Sequence, residues 1–309
     1  MADNSNIKVV VTGASGFLGR AVAKEARRRG YHVIGTGLRR AGGDLVRLDL
    51  TDDAAITDFV AREKPHAIIH CAAEKSPQAA AANRTAVEQI NVKASGQLAR
   101  AASKQGAFLV YVSTEYVFDG RNPPYAEDSA TNPLNVYGQT KLDGERAILG
   151  ACPKGAAVLR VPLLYGETID PAESAFDGLI KMLGQSRGKT VEVDAWQHRF
   201  PVCTDDVARV LVDMAAKGCS DRREDVVGVF QFAATEMLTR YDMCVVLADI
   251  LKIKDVALVP LEEQQKGDGV ERPWDTRMST GALQRAGISV EYVPFKQWWA
   301  QHLSKQKAT

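Results

Sequence analysis

Val9–Val22 reads VVVTGASGFLGRAV. Three valines lead into Gly13-x-x-Gly16-x-x-Gly19, and the last glycine opens an amphipathic run. This is the order strand, glycine loop, helix. Gly13 lets the chain turn sharply, Gly16 lets backbone approach a pyrophosphate, and Gly19 lets the helix pack against the strand. The helix start adds open N–H groups and the positive end of its dipole. Together these features predict a dinucleotide cradle.

Outward from that stretch, the first half alternates apolar runs with helical patterns. IKVVVT, YHVIGTG, DLVRLDL, HAIIHCAA, FLVYVST and AAVLRVPLLY read as strands. Near-continuous apolar strands suit a sheet covered on both faces. Alternation with helices predicts an α/β fold: a Rossmann-type, doubly wound parallel sheet. Helices are expected over Phe17–Arg29, 133–149, 174–183, 204–217, 239–252 and 280–286, with a further strand at GVFQFAA. Residues 166–200 otherwise read as irregular. The expected division is a dinucleotide-binding domain over 1–165 plus 201–236. A smaller, discontinuous α/β lobe would take 166–200 plus 237–309, with Trp298 and Trp299 packed inside it.

About 20 residues past such a cradle, an acidic group ordinarily holds the ribose 2′-hydroxyl of NAD. GTGLRRAGG places Arg39 and Arg40 there instead. Two guanidiniums favour a 2′-phosphate, hence NADP(H). Asp49 and Leu50, ending the third strand, are placed to meet the adenine. Cys71, Ala72 and Ala73, ending the fourth, let the cofactor lie close to the sheet.

YGQTKLDGE, Tyr137–Glu145, sets a tyrosine four residues before a lysine. On a helix these two share a face. The Lys141 ammonium is expected to stabilise the Tyr137 phenolate and lower its pKa from about 10. Tyr137 could then exchange a proton with a substrate oxygen. Ser113 and Thr114, ending the fifth strand, offer hydroxyls to the same atom.

The remaining composition excludes several classes. The 309 residues carry a formal net charge of +1, which supplies no field for nucleic acid or an anionic membrane. No apolar run approaches the roughly 20 residues a membrane span needs. Five scattered cysteines form no C-x-x-C pair and the histidines no metal-ligand spacing, so no metal is expected. Reduced thiols fit a cytoplasmic location.

The glycine triplet, strand-end Ser-Thr and Tyr-x-x-x-Lys together resemble the extended short-chain dehydrogenase/reductase family. STEYVFDG, NPPYAED and NPLNVYGQTKLDGE resemble its dTDP-4-dehydrorhamnose reductase branch. The resemblance implies that Gly13, Ser15, Gly16, Phe17, Leu18 and Gly19 line the pyrophosphate. It makes Tyr137 and Lys141 the catalytic-type pair and puts Pro162 against the nicotinamide. Asn91, in QINVKAS, matches the family's asparagine. Glu115 stands where the branch has aspartate, and Trp196, His198 and Arg199 are candidate substrate or partner contacts. Two uses are implied. One is an NADPH-dependent reductase of a nucleotide sugar. The other is a regulatory chain that binds NADP(H) and docks on the catalytic chain of a methionine adenosyltransferase.

Overall fold

The computed structural model describes residues 4–38, 43–265 and 269–306. The strands are β1 (Lys8–Thr12), β2 (His32–Gly37), β3 (Leu45–Arg47), β4 (Ala67–His70), β5 (Phe108–Thr114) and β6 (Ala156–Val161). They continue as β7 (Leu164–Tyr165), β8 (Thr190–Asp194), β9 (Val202–Cys203), β10 (Gly228–Gln231) and β11 (Ala257–Leu261). Seven of them form one sheet, in the order β3-β2-β1-β4-β5-β6-β10, and every neighbouring pair is parallel.

Alternation along each strand fills two cores. Val9 and Val11 point to one face and Val10 to the other; Ile69 and Ile68 divide likewise, as do Val110 and Leu109. Helices α1 (Phe17–Arg28) and α8 (Thr204–Gly218) supply Val22, Val207 and Leu211 to the first core. Helices α2 (Asp53–Glu63), α5 (Ser95–Gln105) and α6 (Val136–Ala151) supply Phe59, Leu98 and Ile148 to the second. Helices on both faces explain why the strand sequences carry so few polar residues.

Short helices α3 (Pro77–Ala82) and α4 (Arg84–Glu88) follow β4. They run into a π-helical segment, Gln89–Ala94, before α5. A third core gathers Tyr165, Phe176, Leu183, Met243, Leu247, Phe295 and Trp299. It draws on α7 (Ala175–Gln185), α9 (Arg240–Leu251) and α11 (Phe295–Gln306), while α10 (Gly281–Arg285) packs on β10. Trp299 is buried there and Trp298 packs against it, as expected.

Residues 166–200 are less irregular than their sequence suggests. Thr190–Asp194 forms β8 and pairs in parallel with β11. Both strands are largely exposed and β11 contains Pro260, so neither carries the apolar signature of a central strand.

From β1 the chain moves outward through β2 and β3; from β4 it moves the other way, through β5, β6 and β10. The order therefore reverses between β1 and β4. In open parallel sheets such a switch point opens a crevice at the strands' carboxyl ends.

Candidate functional site

The glycine loop sits at that crevice. Gly13 has φ +65, and a Cβ there would lie 2.9 Å from the Ala72 backbone, beyond β4. A Cβ on Gly19 would lie 2.1 Å from the Gly13 carbonyl oxygen. Gly16 is the N-cap of α1, and no side chain accepts from the helix's first N–H groups. Ser15, Gly16 and Phe17 are half-buried at the mouth, while Leu18 and Gly19 are buried beneath. This cradle fits a pyrophosphate: bare glycine backbone and, among the described residues, N–H groups left uncapped by side chains.

The adenine-side expectations fare differently. Arg39 and Arg40 lie outside the described residues. Leu50 is buried in the second core with Ile56 and Phe59. Asp49 accepts from the Thr51 backbone N–H (2.8 Å) and hydroxyl (2.7 Å), which hold its carboxyl below the usual range. Both residues thus help build the turn into α2.

Asn135, through its side chain, caps α6 by accepting from the Gly138 N–H at 2.9 Å. The helix therefore starts at Val136, later than the sequence pattern suggested. It brings Tyr137 to the end of β5, where Thr114 lies near enough to lower the phenol's value. Burial nevertheless pushes the Tyr137 phenol up to about 12, and Tyr116, Glu115 and Glu74 add to the rise. The expected lowering by Lys141 is not what the geometry gives. Lys141 is 2% exposed; its ammonium donates to the Val112 carbonyl at 2.7 Å and lies 3.9 Å from the Tyr111 ring centre. Burial lowers Lys141 to about 7, opposed by Glu145 and Cys71. The cation is spent on the strand behind it, not on the phenol beside it.

Ser113 and Thr114 part company for a simple reason. Neighbours on a strand face opposite ways. The Ser113 hydroxyl donates to Glu145 at 2.5 Å, inside a buried pair that Glu145 makes with Arg160 (3.0 and 2.8 Å). Ser113 is thereby held away from Tyr137, contrary to its expected role. Pro162 is buried just after β6. Cys71 follows β4, and burial pushes its thiol up to about 12.

Asn91 does not open onto the crevice either. It lies in the π-helical segment, fully buried, and its amide both accepts from the Glu74 N–H (2.9 Å) and donates to the Glu74 carbonyl (3.1 Å). A further bond to Thr140, 3.2 Å away, ties this loop to α6. Such π-segments are frequent at functional sites, and here one aims the loop that carries Ala72 and Ala73. His70 is the residue the sequence reading overlooked. It is buried between the Thr12 hydroxyl (2.6 Å) and the Ser95 hydroxyl (3.1 Å), and burial lowers it to about 3. A neutral imidazole thus braces β1 and β4 under the cradle.

Glu115 joins the carboxyl end of β5 to the 273–279 segment. Its buried carboxyl accepts from the Thr276 hydroxyl at 2.8 Å; Arg199, the Leu163 backbone and Asp275 lie near enough to act on it. Burial raises it to about 7. His198 contacts Asp275 at 3.2 Å and the Trp274 ring at 4.9 Å. The guanidinium of Arg199 donates to Gln197 at 2.6 Å, and Trp196 closes a turn on Asp194.

Glu115 carries a pH prediction. Its folded value exceeds the usual 4.5, so between 4.5 and about 7 the folded chain binds more protons than the unfolded one. Its contribution to stability therefore falls as pH rises through that window. His70, lowered from 6.5 to about 3, acts oppositely and offsets it in the native protein. Glu115→Gln should unmask a rise of stability with pH, reaching up to about 1.4 kcal/mol per pH unit relative to the native protein. Urea denaturation across this range checks it; parallel profiles would refute it.

With the geometry in hand, comparisons with known proteins place the chain. Residues 7–306 match the RmlD substrate binding domain. The chain belongs to this family. Among curated relatives of this RmlD-type chain, methionine adenosyltransferase 2 subunit beta of Danio rerio is 42% identical, covering 98% of this chain and 94% of the relative. The dTDP-4-keto-6-deoxy-D-glucose reductase of Streptomyces niveus is 31% identical, covering 94% and 93%. Among solved structures, a dTDP-4-dehydrorhamnose reductase from Clostridium acetobutylicum superposes with a TM-score of 0.85 at 25% identity, covering 97% and 100%. One from Bacillus anthracis, in complex with NADP, gives 0.83 at 23%, covering 97% and 99%. The RmlD-type fold expected from the glycine triplet and YGQTKLDGE is thus the fold observed. Among the described residues no carboxylate, histidine and cysteine group could hold a metal, and no helix is long and apolar enough to cross a membrane.

Proposed function

We propose that this chain is an NADP(H)-binding regulatory subunit of a methionine adenosyltransferase, acting in the cytoplasm on S-adenosylmethionine synthesis. The observation that carries the reading is the likeness to methionine adenosyltransferase 2 subunit beta, sustained over 98% of the chain. The division into a dinucleotide domain (1–165 plus 201–236) and a smaller lobe (166–200 plus 237–309) belongs to the same reading, with the smaller lobe meeting the partner. Gly13, Gly16 and Gly19 would cradle the pyrophosphate, Ala72 and Ala73 would lie under it, and Arg39 and Arg40 would take the 2′-phosphate. Tyr137, Thr114 and Lys141 would hold the nicotinamide ribose. A buried phenol raised to about 12 and a lysine turned onto Val112 suit gripping better than rapid proton exchange.

A second reading is favoured by one juxtaposition: Thr114, at the end of β5, acts on the buried Tyr137 phenol, as a reductase of a nucleotide sugar needs. A bound nicotinamide would supply hydride, and Tyr137 would give its proton to the sugar's carbonyl oxygen. Incubation with a dTDP-4-keto-6-deoxy sugar and NADPH separates the two readings. The regulatory reading expects no NADPH oxidation, and copurification with a methionine adenosyltransferase catalytic chain. Brisk reduction without association would establish the reductase instead. For the cofactor, Arg39→Ala with Arg40→Ala should weaken NADPH about 100-fold and NADH less than about threefold, measured by calorimetry. Equal losses would discard the 2′-phosphate assignment.

A further inference from the structure

Residues 166–174, between β7 and α7, are tied to the glycine loop by charge. Glu173 is 9% exposed. Its carboxylate receives two guanidinium N–H groups from Arg20 in a fork, at 2.9 and 2.6 Å. The Ile169 N–H donates to the same carboxylate at 3.3 Å. Arg20 also donates to the Ser15 carbonyl at 3.1 Å. From the other side, the Lys75 ammonium donates to the Glu173 carbonyl at 2.5 Å and lies 5.6 Å from the Phe17 ring centre. One residue therefore joins the first turn of α1, the loop after β4 and the 166–174 segment. The first two flank the cradle.

The segment is also a unit in itself. The Asp170 carboxylate caps the turn Pro171–Glu173 by accepting from the Ala172 N–H at 2.9 Å. The Ser174 hydroxyl caps α7 by accepting from the Phe176 N–H at 3.2 Å. A segment braced at its end moves as a body rather than fraying. Its hold on α1 is a bidentate, mostly buried pair, which is both stronger and more directional than an exposed one.

We propose that residues 166–174 form a strap, fastened beside the glycine loop by the Arg20–Glu173 pair and Lys75, and that this strap sets how fast a bound dinucleotide leaves. The proposal rests on the reading of the cradle as a dinucleotide site. A ligand seated on the loop between α1 and the 72–75 segment departs after the fastening opens. The pair then governs release, while entry is governed by the population of open strap. Arg20 and Lys75 keep two cations near the pyrophosphate cradle.

Glu173→Gln keeps the side-chain shape and removes its charge; Arg20→Gln does the same from the other side. Stopped-flow displacement of NADPH, read by its fluorescence, measures release. Each variant should release NADPH about tenfold faster, and association should rise with it because more of the free strap stands open. The double variant should be no faster than either single one, because both remove the same pair. Unchanged release in both single variants overturns the proposal. If the native chain binds no NADPH, the dinucleotide reading falls by itself and the fastening is judged by hydrogen exchange. Glu173→Gln should then expose the backbone amides of 168–173, and unchanged protection would overturn the strap.

Discussion

Gly19→Ala should abolish dinucleotide binding while leaving the sheet assembled. The added Cβ would lie 2.1 Å from the Gly13 carbonyl oxygen and 2.7 Å from its carbon, both backbone atoms. Neither can swing aside as a side-chain tip would. The loop must open, or α1 must back away from β1, and either motion moves the N–H groups off the phosphate position. A misplaced cradle forfeits several directed hydrogen bonds at once. An affinity loss for NADPH of more than about 100-fold is expected by calorimetry. Binding within about threefold of the native protein would mean that the loop does not hold the cofactor.

The second large effect concerns stability. Glu145 and Arg160 are nearly fully buried, at 3% and 5% side-chain exposure, and pair at 2.8 Å. Ser113 completes the carboxylate's bonding, and Arg160 also donates to the Glu127 carbonyl at 3.3 Å. Glu145→Ala removes the anion and leaves a guanidinium buried without its counter-charge. Breaking such a pair from one side costs about 3–5 kcal/mol. Urea denaturation should show that loss. Replacing both partners by apolar residues, Glu145→Leu with Arg160→Met, should recover part of it, because no lone charge remains. A single-variant cost under about 1 kcal/mol would show the pair to be solvated after all. Glu145 also lies one helical turn beyond Lys141 and opposes its loss of charge. The same variant should therefore lower Lys141 further and weaken NADPH binding most just below pH 7, where only the native lysine keeps its charge, and less above it.

Much of the architecture was legible in the residues. The Val9–Val11 run, the glycine triplet and the apolar strands declare a covered parallel sheet through local rules alone. What escaped depends on partners distant in sequence. TVEVD offers only a brief Val191/Val193 alternation, its mate β11 lies more than 60 residues on, and both strands are largely exposed. The site was legible as a set of residue types and less so as a set of directions. Tyr-x-x-x-Lys correctly put two groups on one helix face. That Lys141 would be claimed by Val112 and Tyr111 follows from how closely α6 lies on β5, which no spacing reveals. Ser113 and Thr114 could have been separated beforehand, since strand neighbours diverge, although which one faced Tyr137 could not. His70 offered a faint signal: an imidazole at the end of an apolar strand needs partners, and Thr12 sits at the matching end of β1.

The chain is proposed to regulate a methionine adenosyltransferase. Titrating it into the catalytic chain of that enzyme from the same organism, and following the rate of S-adenosylmethionine formation, tests this most directly. The rate should change saturably, with a break at a fixed ratio of the two chains. A rate indifferent to the added protein at every ratio would contradict it.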